Sequence, residues 1–408
     1  MGSERSRTVV VGAGQAGAWA VIALRETDPA REIVMIGDEA HLPYERPPVS
    51  KGILAGESGI EKALIRPDTW FVDNRIDLRL GQRVAGIDRA AARIELAGGE
   101  RIAYDSLILA TGARPRRLTV PGADDSRVHV IRTVDDSLAL RVELQPERHL
   151  AVVGAGFIGL EAASVARKRG LAVTVVDVAA AALSRVVAPE VGAAMARRHE
   201  REGVAFRFGA RLTGIEPGAS GLRLHFAEGP PLDADVVVAG IGAVPNTELA
   251  AAAGLVVDDG IVVDAFGQTS DSAISAAGDV TRHFNPILGR SIRLESWQNA
   301  QNQAIAVGRI VGGRREPYAE VPWFWTHQYD FNLQIAGAPL GWDRVIFRGG
   351  PDEPKFTALY LAEGRVVAGN TLNNPRDMRA VKALIAGGTV VDPTALADPA
   401  VPLQSLCR

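Results

Sequence analysis

The chain has 408 residues, of which 47% are hydrophobic, and a formal net charge of −3. That length suits two or three domains, and the small negative charge gives no reason to expect nucleic acid or an anionic membrane as partner. No apolar run approaches the roughly 20 residues of a membrane span, and no signal-peptide core precedes the first strand. We therefore expect a cytoplasmic protein that makes no contact with membranes.

The cysteine and histidine residues exclude two kinds of chemistry. The only cysteine is Cys407, so neither an internal disulfide nor a pair of redox thiols is possible. The seven histidines are scattered without metal-ligand spacing, so no metal site is predicted.

The first predicted element is a buried strand over residues 9–11, followed by a glycine-rich turn and a helix over 18–25. The turn contains Gly12, Gly14 and Gly17, which allow a tight turn, close approach of a pyrophosphate and close helix packing. A second strand over 33–36 leads to Asp38, whose carboxylate can accept hydrogen bonds from a ribose. This pattern predicts a dinucleotide site.

An extended, proline-rich segment over 41–51 comes next and includes Arg46 and Lys51. We expect Ser50 to cap the turn that follows. The segment is either a rigid surface connection or a support that holds Arg46 and Lys51 against a polar cofactor, and its position directly after Asp38 favours the second reading. A strand over 103–112 then ends at a corner of small residues.

The dinucleotide pattern is repeated at Gly154, Gly156 and Gly159, followed by a strand over 173–176 that ends at Asp177. A helix over 188–201 and a strand over 235–242 complete this second unit. Because the pattern occurs twice, the chain is predicted to bind two dinucleotides.

The chain is then expected to return to the first domain, where a short strand ends at Gly278 and Asp279 and a helix can begin. A helix over 294–311 follows. Beyond it lie an aromatic stretch over 322–325, strands over 333–336, 344–347, 356–361 and 365–369, and a helix over 375–385. The fold class is α/β, with two Rossmann-like dinucleotide-binding domains and a C-terminal α+β domain.

Together these motifs resemble the FAD-dependent NADH:ferredoxin reductases of bacterial Rieske oxygenases and haem-thiolate monooxygenases, over nearly the whole chain. The proline-rich segment ending at Lys51 and the Trp-Phe-Trp stretch at 323–325 are its most specific features. The resemblance implies a glutathione-reductase-like fold. Its discontinuous FAD domain would cover 1–112 and 242–318, its NADH domain 113–241, and its C-terminal domain 319–408, lying over the flavin.

The resemblance also implies which residues bind non-covalent FAD and NADH. For FAD these are Gly12, Gly14, Ala16, Gly17, Asp38, Arg46, Lys51, Val84, Ala110, Thr111, Gly112, Arg132, Gly278, Asp279, Glu295, Ser296, Trp297 and Trp325. For NADH they are Gly154, Gly156, Ile158, Gly159, Glu161, Asp177, Arg185 and Gly240.

Lys51 and Glu161 are the predicted catalytic residues. Lys51 would stand beside the flavin ring, and Glu161 would pair with it while orienting the carboxamide of NADH. The alternatives are an exposed lysine after a cap and a first-turn glutamate favoured by the helix dipole. One departure from the family pattern is Thr326-His327-Gln328, where a serine, an acid or amide, and a glutamine are usual. His327 is expected to add positive charge at mildly acidic pH if it is exposed, and its effect on the electron exit is open.

The implied reaction is hydride transfer from NADH to FAD, then single-electron transfer to a two-iron two-sulfur ferredoxin. A basic patch is a candidate docking surface for that ferredoxin: Arg290, Arg293, Arg309, Arg314 and Arg315. An NADH-gated binding module similar to apoptosis-inducing factor is the rival from another class. A thiol-dependent NADH oxidase or disulfide reductase is disfavoured because these enzymes need a cysteine beside the flavin, and the only cysteine is Cys407, next to the last residue of the sequence. The sequence leaves open the ferredoxin, the terminal oxygenase, its substrate and the oligomeric state.

Overall fold

The computed structural model describes residues 6–218 and 221–407. They form two compact units. The first comprises Ile60–Arg114, Val244–Pro322 and the described residues up to Arg46; the second comprises Pro47–Gly59, Pro115–Ala243 and the described residues from Trp323 onward. The predicted division into FAD, NADH and C-terminal domains stays a prediction.

The elements up to Pro115 begin with alternating strands and helices and end with six consecutive strands. They are β1 (Arg7–Val11), α1 (Gln15–Thr27), β2 (Glu32–Ile36), a 3-10 turn (Pro47–Ser50), α2 (Gly52–Ala55), a 3-10 turn (Ile60–Lys62), α3 (Asp68–Asp73), β3 (Ile76–Arg79), β4 (Val84–Asp88), β5 (Arg93–Leu96), β6 (Arg101–Ala103), β7 (Ser106–Leu109) and β8 (Ala113–Pro115).

The middle of the chain repeats the strand–helix alternation. Its elements are β9 (Val128–His129), α4 (Val134–Glu143), β10 (His149–Val153), α5 (Phe157–Lys168), β11 (Ala172–Asp177), α6 (Pro189–Arg201), β12 (Val204–Phe208), β13 (Leu212–Pro217), β14 (Leu222–Phe226), β15 (Leu232–Ala234), β16 (Val236–Ala239) and β17 (Ala243–Pro245).

The last part contains a long helix and then a β-rich region. Its elements are α7 (Glu248–Ala252), β18 (Ile261–Val263), β19 (Ile274–Ala276), β20 (Thr281–Asn285), β21 (Arg290–Arg293), α8 (Trp297–Val311), β22 (Trp323–Gln328), β23 (Phe331–Gly337), β24 (Arg344–Arg348), β25 (Phe356–Ala362), β26 (Arg365–Leu372), α9 (Pro375–Gly387), α10 (Pro393–Ala397) and a 3-10 turn (Leu403–Leu406).

The first unit is built on a five-stranded parallel sheet in the order β19-β7-β1-β2-β3. Alternate residues of β1 enter opposite cores. Val9 and Val11 pack towards the antiparallel sheet β4-β5-β6, and Val10 packs towards α1 and α8. Both faces of the parallel sheet are therefore covered, which is why its strands are continuous apolar runs in the sequence.

The second unit repeats this plan with the parallel sheet β12-β11-β10-β16-β9. The antiparallel sheet β13-β14-β15 covers one face, where Ala151 and Val153 of β10 meet Leu222 and Leu224. The unit also contains the five-stranded antiparallel sheet β22-β23-β26-β25-β24. The predicted fold class, two Rossmann-like sheets with a β-rich C-terminal region, is confirmed.

Two predicted elements are wrong. The single strand over 103–112 is interrupted, because β6 pairs with β5 in the small antiparallel sheet whereas β7 pairs with β1 in the parallel sheet. No helix begins at Gly278 and Asp279. Gly278 has a φ of +87°, and the chain turns there, with the Thr281 N–H donating to the Gly278 carbonyl at 2.9 Å, and continues as β20.

Candidate active site

The first glycine turn joins β1 to α1 with little room for side chains. Gly12 has a φ of +113°, and a Cβ placed on it would lie 2.2 Å from the Ala110 carbonyl oxygen. A Cβ on Gly17 would lie 1.8 Å from the Gly12 carbonyl oxygen. No side chain caps α1 at Gly14, and the buried Gln15 amide has no hydrogen-bond partner within the described part of the chain. These unused donors at a helix N-terminus fit a dinucleotide pyrophosphate.

Other residues predicted to bind FAD lie at the ends of strands in the same unit. Asp38 is exposed just beyond β2, and Val84 is buried at the start of β4. Ala110, Thr111 and Gly112 follow β7, and the Thr111 hydroxyl donates to the Asn246 carbonyl at 2.8 Å. Asp38 and residues 110–112 follow the carboxyl ends of two parallel strands, β2 and β7, and ligands bind at that edge of the sheet in such folds. Val84 begins a strand of the antiparallel sheet instead.

Arg46 is placed beside the glycine turn by an ion pair with Glu39. Its Nη1 donates to Glu39 Oε2 at 3.1 Å, and its Nη2 forms a salt bridge with Glu39 Oε1. The guanidinium lies 4.5 Å from the Tyr44 ring centroid, and Nη2 is 3.7 Å from the position of a Cβ on Gly14. Burial opposes the charge of Arg46, but the hydrogen bonds and charge of Glu39 outweigh it and raise the pKa of Arg46. A fixed cation therefore stands next to Gly14.

The turn at Gly278 and Asp279 is held by α8. The Gln303 amide oxygen accepts the Gly278 N–H at 2.9 Å and the Thr281 hydroxyl at 3.0 Å. Asp279 is buried and contributes to the electrostatic environment of Arg46. Sequence reasoning missed Gln303, although an alanine-rich helix with a glutamine on its buried face is a signal for such a contact.

Helix α8 begins among three residues predicted to bind FAD: Glu295, Ser296 and Trp297. Ser296 is the N-cap, and its hydroxyl accepts the Asn299 N–H at 3.1 Å. Glu295 forms a salt bridge with Arg293. Trp297 is the first helical residue, so the cap sets the direction in which its backbone enters the helix.

The second glycine turn reproduces the first in the other unit. Gly154 has a φ of +108°, and a Cβ on it would lie 2.4 Å from the Gly240 carbonyl oxygen. A Cβ on Gly159 would lie 2.0 Å from the Gly154 carbonyl oxygen. Gly156 is the N-cap of α5, again without a side-chain cap, and Ile158 is exposed. This turn has the same fit to a dinucleotide.

Asp177 bonds to the second turn through one carboxylate oxygen and to its own following loop through the other. Oδ2 accepts the Ala155 N–H at 2.6 Å, and Oδ1 accepts the Ala179 N–H at 2.7 Å. Each carboxylate oxygen can accept a second hydrogen bond, so a ribose hydroxyl can still bind. Arg185 is exposed, and its guanidinium approaches Gly242.

Glu161 is the most enclosed ionisable residue among those predicted to act in the site. It is 3% exposed, and three side chains converge on its carboxylate. Oε1 lies 2.8 Å from Lys51 Nζ and accepts the Thr326 hydroxyl at 2.6 Å, while Oε2 accepts the Ser50 hydroxyl at 2.5 Å. The predicted pairing of Lys51 with Glu161 is thus present in the second unit.

The surroundings of Glu161 correct two local predictions. Helix α5 begins at Phe157, so Glu161 lies beyond the first turn and the helix-dipole interpretation is wrong. Ser50 does not cap α2, whose N-cap is Lys51 without a side-chain bond, because the Ser50 hydroxyl is used by Glu161. Sequence reasoning missed Ser50 and Thr326 as partners of this carboxylate. The unusual triplet at 326–328 was the available signal.

The remaining predicted residues also lie in the second unit. Arg132 is half-buried before α4, and its N–H donates to Asp136 at 3.0 Å. Trp325 stacks on Trp323 with ring centroids 4.9 Å apart. His327 is exposed, but burial of its ring and the charge of Lys51 lower its pKa, although Glu161 opposes this. The expected charge on His327 at mildly acidic pH is therefore disfavoured.

The described residues contain neither a metal-ligand cluster nor a membrane-spanning helix. Within 6–218 and 221–407, no group of three or more histidine, cysteine, aspartate or glutamate side chains is arranged to hold a metal ion. In the same residues, no helix is long and apolar enough to cross a membrane.

The geometry and the family models define one class of protein. The chain belongs to the pyridine nucleotide-disulphide oxidoreductase family, whose model matches residues 6–304, and residues 323–407 match the reductase C-terminal family. Membership confirms the predicted oxidoreductase and its cofactors, FAD and NAD(H). The active-site residues assigned above stay predictions.

Similar proteins narrow the class. The chain is 46% identical over 401 residues to the ferredoxin–NAD(+) reductase component of the anthranilate 1,2-dioxygenase system of Burkholderia cepacia, covering 97% of this chain and 98% of that protein. The crystal structure of the covalent putidaredoxin reductase–putidaredoxin complex matches with a TM-score of 0.95 and 37% identity, covering 98% of each chain. A ferredoxin reductase from Rhodopseudomonas palustris matches with a TM-score of 0.94 and 38% identity, covering 99% of this chain and 100% of that one. The predicted resemblance to ferredoxin reductases of oxygenase systems is confirmed.

Proposed function

We propose that this protein takes hydride from NADH onto FAD and passes single electrons to a two-iron two-sulfur ferredoxin that supplies an oxygenase. The observation that carries the proposal is the salt bridge between the buried Glu161 and the partly exposed Lys51, in a chain with two glycine turns that fit dinucleotides. Relatives named as ferredoxin reductase components of oxygenase systems support it.

When bound, FAD supplies the step from two-electron to one-electron chemistry; the polypeptide supplies position and charge. Glu161 has three of about four acceptor positions occupied by Lys51, Thr326 and Ser50. The remaining position suits one N–H of the nicotinamide carboxamide. Lys51, whose side chain is 25% exposed, can offer its ammonium to negative charge on the ring system while it balances the buried carboxylate.

The cofactor preference follows from the end of β11. Asp177 can accept a bond from the ribose 2′-hydroxyl but repels a 2′-phosphate, and the residues directly after it, Val178 to Ala180, include no arginine. Arg185 is the nearest cation in the sequence after it. Steady-state turnover is expected to show a higher kcat/KM for NADH than for NADPH. A higher kcat/KM for NADPH would refute the role of Asp177.

The proposed docking patch, Arg290, Arg293, Arg309, Arg314 and Arg315, contains arginines in different electrostatic states. Arg293 has an 18% exposed side chain and salt bridges to both Glu295 and Asp259, so it offers little free charge to a partner. Arg314 lies 3.8 Å from Glu316, and Arg315 stacks over Phe266 at 4.3 Å. We therefore assign the attraction mainly to Arg290, Arg309, Arg314 and Arg315.

Ferredoxin reduction at low and high ionic strength tests the complete proposal. Wild type is expected to lose apparent affinity for an acidic ferredoxin as salt rises, because screening weakens attraction between exposed charges. Charge reversal at Arg309, Arg314 or Arg315 should weaken binding, whereas reversal of the exposed Arg211 in the second unit should have no effect. If all variants and salt concentrations give the same affinity while a small artificial acceptor is reduced normally, the patch is not the docking site. Failure to reduce any ferredoxin would refute the function itself.

A further inference from the structure

Behind Glu161 lies a row of buried polar side chains that the proposed chemistry does not use. Thr326 and Gln328 project from the same face of β22, and both are buried. His199, near the end of α6, is fully buried and lies next to Gln328. Tyr329 is the last member. The distances along the row are 2.6 Å from Glu161 to Thr326, 3.0 Å to Gln328, 2.5 Å to His199 and 3.4 Å to Tyr329.

Only one assignment of hydrogens satisfies the whole row. An ionised carboxylate can only accept, so the Thr326 hydroxyl donates to Glu161 and must itself accept from Gln328 Nε2. That contact fixes the Gln328 amide, whose oxygen then faces His199 Nε2. His199 must therefore carry its proton on Nε2, which leaves Nδ1 to accept from the Tyr329 hydroxyl.

Every hydrogen bond in this row is consequently donated towards Glu161. Hydrogen bonds aligned in one direction polarise one another in a low-dielectric interior, so each bond in the row strengthens the next. The aromatic rings of Phe206, Tyr329 and Phe331 surround His199 with centroids 5.1–6.1 Å away. Burial lowers the pKa of His199 to about 4, although Gln328 opposes this, so the imidazole stays neutral near neutral pH.

We propose that Thr326, Gln328 and His199 are positioning residues that hold the Glu161 carboxylate in one orientation through a one-directional hydrogen-bond chain. Lys51 is the charged group that faces the carboxylate, at 2.8 Å, and the titratable ring of His327 interacts electrostatically with both Lys51 and Glu161. At the far end, Glu202 and Arg167 act on Tyr329. This inference rests on the proposed role of Glu161 in orienting NADH.

The chain can be tested by substitutions at two of its members. Gln328→Leu interrupts it, and His199→Phe removes the donor to Gln328 while keeping an aromatic ring. Each substitution is expected to lower the maximum rate of flavin reduction by NADH roughly tenfold, because loss of orientation slows the hydride-transfer step. The dissociation constant of NADH is expected to change less than about twofold. His199→Gln retains a side-chain N–H and should recover most of the rate. His225→Gln, on an exposed histidine of β14, is the matched control and should match wild type.

A second measurement is independent of turnover. In the FAD-loaded protein with ¹⁵N-labelled histidine, His199 should be the neutral Nε2–H tautomer at about pH 6, two units above its pKa of about 4. An Nδ1–H tautomer or a protonated ring at that pH would refute the proposed hydrogen-bond chain. Wild-type rates of flavin reduction in both Gln328→Leu and His199→Phe would refute it as well. If Gln328→Leu does not fold, the His199→Phe and His199→Gln pair decides. If wild type is not reduced by NADH, the proposed function fails, and the tautomer still tests the chain by itself.

Discussion

Replacement of Glu161 tests the centre of the proposed site. Glu161→Ala removes the carboxylate that Lys51, Ser50 and Thr326 share. A hydrogen bond to a charged group contributes about 1.5–3 kcal/mol. If about 2 kcal/mol of that acts on the bound nicotinamide during hydride transfer, flavin reduction slows about 30-fold. Because the first glycine turn does not involve Glu161, FAD should stay bound.

Stopped-flow absorbance of the flavin under anaerobic conditions measures this rate directly. Glu161→Gln should lie between wild type and Glu161→Ala, since the amide keeps one acceptor oxygen but loses the charge that balances Lys51. Glu200→Ala, at an exposed glutamate of α6, is the matched control. An unchanged reduction rate in a flavin-loaded Glu161→Ala protein would refute the catalytic assignment and leave Glu161 as a structural anchor for Lys51.

Two further predictions concern cofactor binding and stability. Gly17→Ala should give a protein that does not retain FAD, because its Cβ would lie 1.8 Å from the Gly12 carbonyl oxygen. Wild type should be yellow and should release its flavin intact in acid. A yellow Gly17→Ala protein would contradict the predicted close packing. The lowered pKa of His199, about 4 against an ordinary 6.5, means that the unfolded state takes up a proton first as pH falls. Above pH 6.5 this group has no effect, and between 6.5 and 4 it removes stability by up to about 3 kcal/mol. The free energy of unfolding, measured with urea across that pH range, should fall less in His199→Phe than in wild type. If it falls equally with pH in the two proteins, His199 is not buried in its neutral state.

The sequence by itself determined the features whose physics is local. Glycine turns after apolar strands require the same backbone geometry wherever they occur, so the two turns at Gly12 and Gly154 could be predicted from spacing alone. The same holds for the absence of paired thiols, which follows from a single cysteine. Strands that alternate with helices also predicted Rossmann-like domains, because parallel strands need a crossover connection, which is usually a helix.

Tertiary structure decided what depends on distant segments. Glu161 is an ordinary helical glutamate in the sequence, and only the approach of Ser50 and Thr326, 111 and 165 residues away, makes it a buried acceptor. The break between β6 and β7 could not be predicted from the sequence either. It arises because β6 pairs with β5 and β7 pairs with β1, in two different sheets. The tautomer of His199 depends on partners about 130 residues away. Contacts between remote segments leave no local period or spacing, because burial and hydrogen bonding are set by packing rather than by neighbours along the chain.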